Sequence, residues 1–181
     1  MESSELARFE AAVLPHLDAA YTLARYLTRN ASDAEDVVQD ACLRALKYFE
    51  GFRGEQGAGG ARATGARAWL LAIVRNTAYS SRRRQRVDAL TTEFDETQHS
   101  DAVAEDHPEG VLLQKAAKET LRRALDRLAP EFREVIVLRE LQGLSYKEIS
   151  DVTGVPVGTV MSRLSRARSR LQQALRGEED R

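Results

Sequence analysis

Residues 144–164 read LSYKEISDVTGVPVGTVMSRL, and this stretch decides the fold. It predicts a short helix from Ser145 to Val152, a tight turn containing Gly154, and a second helix that Pro156 opens. At 100° per residue, Val160, Leu164, Ala167, Leu171 and Leu175 share one face of that second helix and pack inward. Thr159, Ser162, Arg163, Arg166, Ser169 and Arg170 take the other face, with Ser165 beside them. From Met161 to Gly177 there are five arginines and no acid. An arginine-rich helix standing alone is usually a solvated surface. After this turn it suits the major groove of DNA. Small residues let the backbone approach, while arginines reach phosphates or guanine edges.

Outward from the turn, apolar residues recur at helical spacing, and no alternating strand pattern appears. Leu113, Ala117, Leu121, Ala124, Leu125 and Leu128 form one stripe. Pro130 opens the next helix, cored by Phe132, Val135, Ile136 and Leu141, and Gly143 stops it. Nearer the N-terminus a first helix runs from Leu6 to Leu27 and bends near Pro15. Ser32 is the expected N-cap of a helix from about Asp33 to Phe49, with Glu35 three residues on. Six glycines from Gly51 to Gly65 mark a flexible loop. A third helix follows from about Ala66 to Arg86. Residues 87–110 are polar and acidic, end in HPEG, and read as an inter-domain linker. The expected fold class is all-α, with residues 1–86 and 111–181 as two small helical domains joined by a flexible acidic linker.

The 181 residues carry 27 Lys and Arg against 28 Asp and Glu, a net charge of −1. That total argues against a uniformly basic nucleic-acid binder, yet the charge is sorted along the chain. Residues 1–60 stand at −4, 61–86 at +7, 87–109 at −8 and 110–181 at +4. Such a chain can hold a polyanion locally while staying near neutral overall. No apolar run approaches the roughly 20 residues that span a bilayer. The acidic start MESSELARFE is no signal peptide. A cytoplasmic protein without membrane insertion is expected. Cys42 stands alone, and His16, His99 and His107 are scattered, so neither a metal nor another cofactor is expected. Cys42 reads as a partly buried, inert thiol.

On the helix from Asp33, Val38, Ala41, Ala45 and Phe49 gather as core, with Asp36, Gln39, Asp40, Leu43 and Lys47 opposite. Leu43 is therefore an apolar residue in the middle of a polar face. A lone exposed leucine is commonly of no consequence. Ringed by Asp36, Gln39 and Asp40, it also has the form of a protein-docking patch. The third helix sets Trp69, Leu70, Ile73, Val74 and Thr77 on its apolar side and Arg75, Asn76, Tyr79, Arg82, Arg83, Arg84 and Arg86 elsewhere. Aromatic rings among arginines suit opened or single-stranded nucleic acid, where bases stack and phosphates are neutralised. Trp69 itself fits the core better than a ligand.

Assembled, the chain resembles an extracytoplasmic-function (ECF) sigma factor, the two-domain type of bacterial sigma-70-related initiation factor. DAEDVVQDACLRAL (33–46) is similar to the family's core-polymerase-binding helix. RAWLLAIVRN (67–76), continuing to Arg84, is similar to its promoter-melting and −10-reading helix. LAPEFR (128–133), GLSYKEI (143–149) and GTVMSRLSRAR (158–168) are similar to its −35-reading domain. The resemblance implies that Asp36, Gln39, Asp40 and Leu43 dock on the β′ clamp helices of core RNA polymerase, with the β flap as a further contact of the chain. It implies that Arg75, Asn76, Tyr79, Arg82 and Arg83 lie at the −10 element, the preceding loop taking a flipped base. It implies that Thr159, Ser162, Arg163, Ser165 and Arg166 serve the −35 major groove, that the linker threads near the RNA exit path, and that an anti-sigma factor is a partner. No catalytic residue is implied. Two features depart from the family pattern: the loop between Phe52 and Trp69 is longer and richer in Gly and Ala, and Ala66 stands where an aromatic is common.

Two other functions compete. A stand-alone helix-turn-helix regulator accounts for the C-terminal half but leaves the Asp36–Leu43 patch unexplained. A serine recombinase would need a strand-rich catalytic domain, for which the sequence has no pattern.

Overall fold

A computed structural model describes residues 3–52, 65–91 and 109–179. The glycine-rich loop over 53–64 and the middle of the acidic linker over 92–108 lie outside the described residues. Helix α1 (Ser3–Val13) and helix α2 (Leu17–Thr28) are separated by a 3₁₀ turn, Leu14–His16, with Pro15 inside it. Proline has no N–H to donate, so the break falls where the sequence places it. Arg29 ends α2 in the left-handed region, at φ 67°, and its N–H donates to Arg25 O at 2.9 Å. This leaves Asn30 extended, and its side chain accepts from the Asp33 N–H at 3.1 Å. Asn30, not Ser32, is therefore the N-cap of α3 (Ala31–Tyr48), and Ser32 lies within the first turn. Both residues are good caps; the position of the left-handed residue selects between them.

Helix α4 runs from Ala66 to Thr91, past the expected end at Arg86, since neither Gly nor Pro intervenes. Helices α2, α3 and α4 pack against one another. Ala20, Ala24, Ala34, Ala41, Ala45, Ala68 and Ala78 are all buried there, and small residues let the helix axes approach closely. Leu23, Leu27, Leu70, Leu71 and Val74 fill the space between. Val37 takes the buried place expected for Val38, which is half-buried. Phe49 meets Phe9 edge-on at 5.3 Å, and Phe52 stacks on Trp69 at 4.5 Å. Trp69 thus belongs to the core margin, as its place on the apolar side suggested.

In the C-terminal half α5 spans Glu109–Asp126, beginning inside the segment read as linker. Pro130 opens α6 (Pro130–Ile136), which continues as a π-helical turn, Val137–Leu141, and stops at Gly143 with φ 67°. Helix α7 (Tyr146–Thr153) is capped by Ser145. Its side chain accepts from the Glu148 N–H at 3.2 Å, and the Glu148 carboxylate accepts the Ser145 N–H at 2.7 Å. Gly154, at φ 74°, makes the turn, and Ser150 braces it by donating to Val155 O at 2.6 Å. Helix α8 (Val157–Glu179) follows. Loss of the cap in Ser145→Ala is expected to lower stability by about 1 kcal/mol, measured by denaturant unfolding.

The halves are in contact: α2 packs on α6, and α4 on α7. The buried side chains form one continuous core through both. Phe132, Arg133, Glu134, Val135 and Ile136 are all buried, so α6 is enclosed on every side.

Candidate nucleic-acid interfaces

The second helix of the helix-turn-helix is seated by Val160, Leu164 and Ala167, all buried. Ser162, Ser165 and Arg166 are exposed above them, and Thr159 is half-buried at the start of the row. Ser162 donates to Thr159 O at 3.0 Å. Arg163 is drawn inward, its guanidinium 3.5 Å from a Glu134 carboxylate oxygen. Further along, Arg168 pairs with Glu140 at 2.7 Å and Arg170 lies over the Phe132 ring at 4.4 Å. Thus four of the five expected −35 residues line one accessible strip, and Arg163 is engaged elsewhere.

The α4 group divides in the same way. Arg75 donates to both Glu134 oxygens, at 2.7 and 3.2 Å, and Tyr79 donates its hydroxyl to one of them at 3.1 Å. The Arg75 guanidinium also lies 4.7 Å from the Tyr79 ring centroid. Burial works against the charge on Arg75, but the bond to Glu134 and its charge outweigh it and raise the pKa above its ordinary value. Burial, then the Glu134 charge, pushes the Tyr79 phenol up, so it remains a donor. Arg82 reaches Leu27 O at 3.5 Å. Asn76 and Arg83 are exposed.

The four residues expected to dock all lie on α3. Asp36 and Gln39 are exposed, and Leu43 is 68 % exposed, more than any other large apolar residue described. Asp40 is half-buried and pairs with Arg44 at 3.0 Å. A cleft of about 370 Å³ between α3 and α4 joins Asp36 and Asp40 to Ser81, Arg84 and Gln85, with the unpartnered buried Thr77 hydroxyl in its wall. Cys42 is half-buried, and burial pushes its thiol pKa up. Among the described residues no cluster of three or more His, Cys, Asp or Glu could hold a metal, and no helix is long and apolar enough to cross a membrane.

Three polar groups escaped the sequence reading. Glu134 gathers Arg75, Tyr79 and Arg163. Arg133, 2 % exposed, donates to Leu125 O, Asp126 O and Leu128 O at 2.8–2.9 Å and to Tyr26 O at 3.1 Å. Arg67 donates to the Gln142 backbone and side-chain oxygens at 2.6 and 2.7 Å. The available signal was Arg133-Glu134 itself, two charges set between Phe132 and Val135 in an apolar run.

Comparison with known proteins follows the same division. Residues 12–87 match Sigma-70 region 2 and residues 118–171 match Sigma-70, region 4. The ECF RNA polymerase sigma-E factor of Escherichia coli (strain K12) is 34% identical over 155 residues, covering 82% of this chain and 76% of that one. The RNA polymerase sigma-H factor of Pseudomonas aeruginosa is 32% identical over 174 residues, covering 92% and 86%. The ECF RNA polymerase sigma factor SigE of Mycolicibacterium smegmatis is 34% identical over 166 residues, covering 90% of this chain, which spans 60% of that protein's length. Among solved structures, the sigma factor RpoE in complex with the anti-sigma factor NepR from Bartonella quintana superposes with a TM-score of 0.73 at 29% identity, covering 93% of this chain and 97% of that one. CnrH in complex with the cytosolic domain of CnrY gives 0.64 at 26% identity, covering 95% and 90%. The two matched regions are the two helical halves, in the same order along the chain, and the protein belongs to the ECF sigma factors of the sigma-70 family.

Proposed function

We propose that this chain docks on the β′ clamp helices of core RNA polymerase through Asp36, Gln39, Asp40 and Leu43, and contacts the β flap as well. Arg75, Asn76, Tyr79, Arg82 and Arg83 then serve the −10 element, and Thr159, Ser162, Arg163, Ser165 and Arg166 the −35 element. Residues 1–86 form the polymerase and −10 module and 111–181 the −35 module. Residues 87–110 tether them, so the second contact is effectively intramolecular. The chain works as an initiation factor, not a catalyst, in the cytoplasm where polymerase is, with an anti-sigma protein as its antagonist.

The observation that carries this reading is the exposed row Ser162, Ser165 and Arg166 over the buried seat of α8. A stand-alone regulator would account for that row but not for an exposed leucine ringed by acids on α3. The test is in vitro transcription with core polymerase on a promoter library. Arg166→Ala is expected to lose about 1–3 kcal/mol of discrimination at one −35 position. An equal loss on every promoter would make Arg166 a phosphate contact.

A further inference from the structure

Glu134 is fully buried, at 0 % exposure, where the two halves meet. It accepts from Arg75 and Tyr79 on α4, while Arg163 of α8 stands 3.5 Å away. One carboxylate therefore takes up donors from both helices assigned to promoter DNA. A carboxylate and a phosphate offer the same thing to an arginine fork, two anionic oxygens in a plane. We propose that Glu134 is an intramolecular latch that stands in for a DNA phosphate and holds the free chain in a closed form that binds DNA poorly. This rests on the reading of Arg75, Tyr79 and Arg163 as DNA contacts.

The surroundings suit that role. Arg67 to Gln142, Arg133 to Tyr26 and Arg29 to Asp126, at 3.8 Å, tie the halves together around the latch. Being buried, the latch is screened little by salt, whereas phosphate contacts at the surface are screened strongly, so salt favours the closed form. A single superposition on RpoE in complex with NepR spans both halves of this chain, with a TM-score of 0.73. Asp36, Gln39 and Leu43 stay exposed while the latch is shut. Polymerase can dock before the halves part, whereas DNA engages Arg75 and Tyr79 only afterwards. Apparent DNA affinity then falls in proportion to the open fraction.

Glu134→Gln keeps the shape and removes the charge, leaving the Arg75 and Arg163 guanidiniums facing each other without an anion. The full-length chain and this variant would be compared by small-angle X-ray scattering and by anisotropy of a fluorescein-labelled forked duplex of mixed sequence, without polymerase. The expected result is a larger radius of gyration for Glu134→Gln and DNA binding tighter by about tenfold or more. Equal dimensions overturn the latch, and an expanded variant with unchanged DNA affinity overturns occlusion. If circular dichroism shows Glu134→Gln unfolded, Arg67→Ala, at the rim of the same contact, is judged by the same two readouts. Promoter opening by polymerase carrying Arg75→Ala tests the underlying DNA reading separately. Full opening there overturns that reading whatever the scattering shows.

Discussion

Arg133→Ala is expected to be the most destabilising single substitution in the C-terminal half. The guanidinium closes the end of α5, taking the carbonyls of Asp126 and, just beyond the helix, Leu128, and adding a second donor to Leu125 O, which already accepts the Leu128 N–H at 3.1 Å. A fourth bond, to Tyr26 O, crosses to the other half. Burial pulls the Arg133 pKa down and the Asp126 charge opposes it; a guanidinium stays protonated under either influence. Alanine leaves buried acceptors without donors, at about 1–3 kcal/mol each, and a cavity beside them. The expected loss is about 3–5 kcal/mol, most of a small domain's stability. Arg133→Lys recovers only part of it, because one ammonium cannot span carbonyls that a planar fork reaches together. Urea unfolding monitored by circular dichroism reads both variants. A loss below about 1 kcal/mol for alanine would mean that water takes over the carbonyls.

Leu43→Asp is expected to abolish polymerase binding at working concentrations while leaving the fold untouched. At 68 % exposure, the side chain contributes almost nothing to the core, so stability should change by less than about 0.5 kcal/mol. In a docked complex it would be the desolvated centre of a patch rimmed by Asp36, Gln39 and Asp40. Central anchors of this kind contribute about 2–4 kcal/mol. A third carboxylate beside Asp36 and Asp40 removes the anchor and puts a charged group, in place of an apolar one, at the centre that must be desolvated. Core affinity should fall by about a hundredfold, by pull-down or anisotropy. Unchanged affinity would remove α3 from the interface.

The sequence was most legible where a signal is local. Gly143, Ser145 and Gly154 punctuate the helix-turn-helix, and the 3.6-residue period placed Val160, Leu164 and Ala167 inward and Ser162 and Arg166 outward. The period likewise isolated Leu43. Where two local signals were equivalent the reading erred: Ser32 and Asn30 are both capping residues, and the left-handed Arg29 decides between them. Contacts between distant segments were not legible. Glu134 meets Arg75 across 59 positions and Arg133 meets Tyr26 across 107. A binary pattern assigns such charges to solvent, because it cannot show that α6 is enclosed by the other half. The same limit hid Arg75 and Tyr79, whose residue types fit nucleic acid equally well whether they face it or a carboxylate.

The stacked rings of Phe52 and Trp69 have a bearing on how this chain can diverge. They clasp the two ends of the glycine-rich segment to the aromatic margin of the core, a contact of about 0.5–1.5 kcal/mol beyond simple burial. With Phe52 and Trp69 fixed to each other, a change in the length of the sequence between them costs little, since loop-closure entropy grows only slowly with length, by about 0.6 kcal/mol per doubling. Insertions and deletions between Phe52 and Gly65 are therefore nearly invisible to folding. If the −10 base is chosen there, promoter preference is the trait that can drift fastest while the helical scaffold stays as it is.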